Sequence, residues 1–395
     1  MPRIVLALVT AQTNTGWNFA DMWELHAGRF PDAPATIHGG ETRTWRTFDQ
    51  RANGIANTLL AAGVAHQDKV AQYMHNCPEY MESLFALFKV GLVPVNTNYR
   101  YTEDELSYLW DNSDSVAVIF HATYTDRCAA VRARVPNVKT WIWVDDGSGP
   151  CPDWATPYET AASSATGRTV APWGRSPDDL YILYTGGTTG MPKGVVWRQE
   201  DVLCVLGGLV NFDTGIRVAD EWEFADAAAV ADEREGFAIV MAPLMHGAAQ
   251  WGVFNGLLNG RMIVLMPKFD ADQVWAAVEK HRIATLSITG DAMGRPLIEA
   301  LEAGDYEVSC LTVVASTAAV FSATVKERFL ERFPDLLIAD AVGSTETGYN
   351  GVRLIAKGGE EKAGLPTVRM GPDTVVLDDN MEIVQPGSGV VGRMA

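Results

Sequence analysis

Three glycines and three threonines crowd the stretch Tyr184-Thr185-Gly186-Gly187-Thr188-Thr189-Gly190-Met191-Pro192-Lys193-Gly194-Val195, counting Gly186, Gly187 and Gly190 ahead of the lysine. It follows a short apolar run. Glycines free the backbone so that N–H groups can face an anion, and threonine hydroxyls add donors. Lys193 supplies a fixed positive charge. This chemistry suits a polyphosphate. It is not a Walker A loop, which needs glycine immediately before the lysine where Pro192 stands. Read without that chemistry, the segment is a Gly/Thr-rich hairpin turn. Two further residues carry chemical potential. His246 lies in Pro243-Leu244-Met245-His246-Gly247, and Glu346 in Gly343-Ser344-Thr345-Glu346-Thr347-Gly348. Either could be bland: a packed histidine, or a surface carboxylate.

The elements that must position these residues alternate between apolar runs and amphipathic stretches. The patterning predicts strands at 69–73, 92–96, 115–120 and 139–144, with helices at 79–88 and 123–134 between them. Thr102-Glu103-Asp104-Glu105 is a capping-box pattern opening a helix through Trp110. The stretch 145–178 reads as a surface connection. Beyond it the pattern predicts strands at 180–184, 238–241, 262–266, 285–288, 311–315 and 336–340. Helices are predicted at 248–258, 272–281, 292–303 and 322–332. Such alternation marks an α/β fold with largely parallel sheets. After Gly371 it gives way to short β-like runs such as 374–377.

Composition narrows the function classes. Of 395 residues, 47% are hydrophobic and 20% charged, enough to bury a large core. The net charge of −18 repels phosphate backbones, so nucleic acid is not expected as a partner. Cys77, Cys128, Cys151, Cys204 and Cys310 form no CxxC pair, which argues against structural zinc and a disulfide framework and for free thiols in the cytoplasm. No apolar stretch is long enough to span a membrane. The six apolar residues after Arg3 are short for a secretory signal. Asp220–Glu235 carries seven acidic residues and one basic one, a solvated face or a partner site. Gly387-Ser388-Gly389-Val390-Val391-Gly392 matches GxGxxG without a strand-then-helix frame, so no dinucleotide fingerprint is read there. Neither GxSxG nor HExxH occurs.

The loop at 184–195, Pro243–Gly247, Ser316-Thr317-Ala318-Ala319 and Gly343–Gly348 stand in the order of the signatures of the adenylate-forming (AMP-binding) superfamily, which they resemble. Asn96–Leu106 and Pro386-Gly387 also sit where that family expects them. Val195-Val196-Trp197-Arg198, Thr289-Gly290-Asp291-Ala292-Met293 and Val342–Glu346 look like its actinobacterial acyl-CoA synthetases, some of which activate fatty or steroid side-chain acids. The resemblance covers residues 17–395 and leaves 1–16 as an extension. It implies an α/β large N-terminal domain with stacked mixed and parallel sheets and flanking helices in an αβαβα arrangement, plus a small β-barrel-like subdomain. The implied activity joins a carboxylic acid to the α-phosphate of ATP, releases pyrophosphate, and passes the acyl group to coenzyme A. A carrier-protein thiol, or a silent acyl- or nucleotide-binding protein, are the alternatives. A homodimer is compatible with the family, though no stripe in the sequence demands one.

Residue roles follow from the same resemblance. Glu346, with Thr185, would hold Mg²⁺, an ion suited to hard oxygen ligands. Gly186, Gly187, Thr188, Thr189, Gly190 and Lys193 would cradle the phosphates, and Thr345 would contact the α-phosphate. Ser316, Thr317, Ala318, Asp340, Ala341, Gly343 and Ser344 would border the nucleotide. His246 would steer the carboxylate, and Lys193, Thr345 and Glu346 would share the catalytic work. Gln250, Trp251, Gly290 and Asp291 would line the acyl pocket, although Trp251 reads equally as core. Glycine at 290 either leaves room for a bulky acid or answers a backbone need. Two positions depart from the family: Val342 replaces a common aromatic, and Thr317 a common glycine. The family's ribose-binding Thr-Gly-Asp element, hinge and lid lysine lie beyond this sequence, and Lys362 stands too early to be that lysine. The expectation is a large domain without its lid, binding nucleotide weakly and impaired in turnover.

Overall fold

The computed structural model describes residues 16–165, 167–186, 190–205, 209–210, 216–220, 222–223, 238–358, 368–370 and 374–394. Gly187, Thr188, Thr189, Lys362, residues 1–15 and most of the acidic stretch 220–235 lie outside them.

Two sheets dominate the described residues. One runs Thr156–Pro157, Thr140–Val144, Ser115–His121, Lys69–Tyr73, Val93–Asn96, Leu180–Thr185, Lys193–Arg198. The other runs Arg369–Met370, Gly348–Ile355, Leu337–Ser344, Val313–Ser316, Thr285–Ile288, Ala238–Val240, Ile263–Leu265, Pro34–His38, Glu41–Thr44. Their interiors pair in parallel, through strands that are short apolar runs buried on both faces. Antiparallel pairs close the edges: 180–185 with 193–198, 337–344 with 348–355, and 34–38 with 41–44.

Three hydrophobic clusters show how the layers stack. The central one joins residues of both sheets, such as Ile119, Tyr181, Val240 and Ile263, to helices Phe19–Arg29, Trp45–Ala61, Pro78–Lys89 and Gly247–Leu258. Helix Pro78–Lys89 is buried along its whole length, as a helix sandwiched between two sheets must be. Phe19, Trp23, Phe85, Phe88 and Phe254 interlock there with ring centroids 4.6–6.1 Å apart. The second cluster lies between the longer sheet and helices Ala271–His281, Gly290–Ala303 and Ala323–Arg332. The third packs helices Glu103–Asn112 and Thr125–Val131 on the outer face of the other sheet. The order is helix, sheet, helix, sheet, helix, as the family resemblance implies.

Local signals account for several boundaries. The Thr102–Glu105 capping box forms, with the Thr102 N–H donating to Glu105 Oε2 at 2.8 Å. Pro78 occupies the first helical turn, where its missing donor costs nothing. The stretch 145–178 is more than a connection. It holds strand Thr156–Pro157 and helix Tyr158–Ala162, with Tyr158 buried. No closed β-barrel forms among the described residues; Val376–Leu377 and Arg393–Met394 make only a two-stranded pair. No helix among the described residues is long and apolar enough to cross a membrane.

Candidate active site

Parallel α/β sheets gather loops at the carboxyl ends of their strands, and the predicted segments lie there. Thr185 ends strand Leu180–Thr185 and stands in register with Lys193, the first residue of the returning strand. Strands Leu180–Thr185 and Lys193–Arg198 are therefore the antiparallel arms that flank the Gly/Thr segment. Gly186 and Gly190 are exposed, as is Lys193.

Pro243–His246 turns from strand Ala238–Val240 into helix Gly247–Leu258, and His246 is its N-cap residue. The His246 N–H donates to the Pro243 carbonyl at 3.0 Å. The ring is exposed, yet desolvation, and then the nearby Arg100 charge, lower its pKa. It is therefore a neutral imidazole at neutral pH, able to donate a hydrogen bond from one nitrogen and accept with the other.

Thr345, Glu346 and Thr347 form the tight turn of a second hairpin, between Leu337–Ser344 and Gly348–Ile355. Ser344 and Thr347 hydroxyls lie 2.9 Å apart, and Thr347 Oγ1 donates to Asn350 Oδ1 at 2.6 Å. Gly343 is required there, since a Cβ would sit 2.2 Å from the Gly348 carbonyl oxygen. Glu346 is exposed and makes no ion pair among the described residues. Asp340, in the same strand, is paired with buried Lys326 at 2.5 Å. Ala341 is half-buried, Ser344 is exposed, and the departing residue Val342 is 39% exposed.

Ser316 is buried, and its Oγ accepts from the Gly290 N–H at 3.3 Å. Thr317 donates its N–H to the Ile288 carbonyl, and Ala318 takes a positive φ of 66°. Gly290 has φ +50°, and a Cβ there would lie 2.4 Å from the Val320 carbonyl oxygen. The backbone need alone accounts for this glycine, and the 319–320 backbone fills the space that a side chain would take. Asp291 ties the same loop down, accepting the Ser322 N–H at 2.8 Å while Arg295 lies 3.1 Å away.

Gln250 and Trp251 are buried in the central cluster. Gln250 donates to Tyr80 Oη and the Leu244 carbonyl and accepts from Tyr181 Oη, so its amide is committed inside the protein. Trp251 packs edge-on to Tyr349, with centroids 6.2 Å apart. Both are placed as packing residues beneath the His246 turn.

Three residues with no site role assigned from the sequence tie these segments together. Asn96 joins Tyr184 to Met245, Asn76 holds the 242–244 backbone, and Trp197 Nε1 donates to the Thr345 carbonyl at 2.9 Å. The available signal is an asparagine at, or just after, the end of an apolar strand. Pro243 lines a separate cavity of about 1230 Å³ that opens past Asn76, His75 and Lys268, and Thr185, Lys193, His246, Thr345 and Glu346 do not line it.

The fold is an α/β one in which Asn96 links the strand end at Tyr184 to the His246 turn and Trp197 links the adjoining strand to the turn that carries Glu346. The AMP-binding enzyme family model matches residues 23–394, and the chain belongs to that family. It is 42% identical over 390 residues to a 3-oxocholest-4-en-26-oate–CoA ligase of Rhodococcus rhodochrous, covering 96% of this chain and 69% of that protein. It is 43% identical over 380 residues to a medium/long-chain-fatty-acid–CoA/3-oxocholest-4-en-26-oate–CoA ligase of Mycobacterium tuberculosis H37Rv, with the same coverage. The fold matches the inhibitor-bound N-terminal domain of FACL13 from Mycobacterium tuberculosis with a TM-score of 0.74 at 23% identity, covering 93% of this chain and 86% of that one. It also matches the anthranilate CoA ligase AuaEII with anthranoyl-AMP, at a TM-score of 0.77 and 19% identity, over 97% of this chain and 70% of that one.

Proposed function

We propose that the chain takes part in ATP-dependent activation of a fatty or steroid side-chain carboxylic acid for transfer to coenzyme A. A carboxylate oxygen attacks the α-phosphorus, the bond to the bridging oxygen breaks, and pyrophosphate leaves. The coenzyme A thiol then displaces AMP from the acyl carbon. The observation that carries this reading is that Asn96 bonds both Tyr184, before Thr185, and Met245, before His246, while Trp197 bonds the Thr345 carbonyl, in a chain of the AMP-binding family. The acid class rests on the two relatives, named as ligases of such acids.

The reaction brings an anion to a polyanion, so charge neutralisation and positioning carry most of the work. Lys193 and the loop N–H groups and hydroxyls serve the phosphates. The Thr345 hydroxyl serves the α-phosphate. His246, neutral, donates its N–H to the incoming carboxylate and holds it on line without forming a competing ion pair. Val342 and the 316–318 segment flank the adenine. Mg²⁺ commonly binds through one or two carboxylates with the rest of its shell from phosphate and water, and Glu346 with the Thr185 hydroxyl fits that donor set. When bound, it neutralises charge building on the phosphate oxygens.

Non-hydrolysable N-acylsulfamoyl adenosines of dodecanoate, 3-oxocholest-4-en-26-oate and benzoate test this by thermal shift. At 100 times its Kd a ligand adds about 2.7 kcal/mol. The expected result is a larger shift with a fatty or steroid analogue than with AMP. The absence of any shift across the panel overturns the reading.

A further inference from the structure

We propose that Asn96 is a positioning residue that sets the distance and angle between the phosphate-binding hairpin and the His246 turn, an inference that rests on the adenylation reading above. Asn96 ends strand Val93–Asn96 and is 4% exposed. Its Oδ1 accepts the Tyr184 N–H at 2.6 Å. Its Nδ2 donates to the Tyr184 carbonyl at 2.9 Å and to the Met245 carbonyl at 2.6 Å. Tyr184 directly precedes Thr185, and Met245 directly precedes His246.

One planar amide thus grips both polar groups of the residue leading into the phosphate hairpin and the peptide unit that carries the histidine. Only an amide side chain offers two donors and an acceptor in this arrangement. Tyr184 belongs to one sheet, whereas Met245 follows a strand of the other. Asn96 therefore ties the two sheets at the point where a carboxylate and an α-phosphate must meet in line. A reacting pair is sensitive to such registration: displacement by about 1 Å can cost on the order of 10²-fold.

Asn76 makes the comparison informative. It holds the same turn, with Nδ2 donating to the Ala242 and Met266 carbonyls at 3.0 and 3.1 Å and Oδ1 accepting the Leu244 N–H at 2.7 Å. It is equally buried, at 4% exposure. Its second anchor is the end of strand Ile263–Leu265, away from the phosphate hairpin. Both asparagines stabilise the turn, but Asn96 alone links it to Tyr184.

The test compares AMP, which contacts the nucleotide side, with the tightest analogue of the panel above, which spans nucleotide and acid. Affinities are measured by calorimetry on wild type, Asn96→Ala and Asn76→Ala. In Asn96→Ala, AMP affinity is expected to stay within about threefold, while the advantage of the analogue over AMP falls roughly tenfold or more. Asn76→Ala is expected to melt lower yet keep that advantage. If the advantage survives in Asn96→Ala, or if AMP and analogue weaken in parallel, Asn96 is structural and the proposal is overturned. Should Asn96→Ala not be recovered folded, Asn96→Asp keeps the shape and the acceptor, loses both donated bonds, and is judged by the same ratio. A wild-type chain that binds no analogue more tightly than AMP overturns the adenylation reading itself, whatever the variants do.

Discussion

Glu346 and Trp197 illustrate how differently two residues of one site answer to substitution. Glu346 stands exposed at a hairpin turn with no ion pair among the described residues. Glu346→Gln should leave folding stability within about 0.5 kcal/mol, as surface changes usually do. Magnesium-dependent ATP binding should weaken roughly 10-fold or more, with AMP affinity unchanged. Calorimetry with and without the metal checks this, and an equal loss for AMP would remove Glu346 from the metal. Trp197 works through another residue. Trp197→Phe deletes the donor to the Thr345 carbonyl and should cost about 0.5–1.5 kcal/mol in urea unfolding. Neither residue type announces these roles. Glu346 stands out only through its Gly-Ser-Thr-Glu-Thr-Gly string, and Trp197 only as part of Val195-Val196-Trp197-Arg198.

Parallel strands and their helices were legible as elements because each is a short apolar run bounded by an amphipathic stretch. Lys69–Tyr73 and Thr285–Ile288 match the predicted spans residue for residue. The antiparallel strands Lys193–Arg198 and Gly348–Ile355 were not legible. Lys193–Arg198 is a partly exposed edge strand whose three apolar residues lie between charged ends, and Gly348–Ile355 is broken by two glycines and an arginine, so neither has a long apolar run. These are the strands that border the Gly/Thr segment and the turn carrying Glu346. Helix Gly290–Ala303 begins with a glycine that only geometry explains. Gly290→Ala should cost about 2 kcal/mol or more, from the left-handed φ and the contact with Val320. Gly28, inside helix Phe19–Arg29 with nothing near its Cβ position, provides the opposite case. Gly28→Ala should stabilise by roughly 0.5–1 kcal/mol. Paired urea melts check both signs, and a neutral Gly290→Ala would mean that the 319–320 loop yields.

Across the whole molecule, desolvated titratable groups set an acid limit. His121 ends strand Ser115–His121, and its Nδ1 accepts the His75 N–H at 3.1 Å. Burial lowers its pKa to about 4, against a weaker opposing pull from Asp146. The unfolded chain therefore binds more protons between about pH 6.5 and 4, and stability falls as pH drops through that window, by up to about 1.4 kcal/mol per unit from this residue. Glu24 acts lower. Burial alone would raise its pKa, but Lys89 and Arg175 together hold it near 2, so its contribution is lost only below its ordinary value of 4.5. Urea midpoints at pH 7.5, 6.0 and 5.0 should decline, and His121→Gln, which keeps an acceptor, should flatten the slope above pH 5. An unchanged slope would place the acid limit elsewhere.

The order and chemistry of the signature segments are properties of the sequence alone. A Gly/Thr-rich run with one lysine, a Pro-x-x-His element and a Gly-x-Thr-Glu element keep their meaning as short strings, because glycine freedom, hydroxyl donors and charge are local. Their convergence is not local. Asn96 reaches 88 residues to Tyr184 and 149 to Met245, and Trp197 reaches 148 to Thr345. Such bonds leave no periodic trace, since one polar residue at a strand end looks the same whether it meets water or a distant carbonyl. The tertiary structure also decided which predicted pocket residues face inward. Gln250 and Trp251 are packed in the layer between the two sheets, and Gly290 meets the backbone of 319–320.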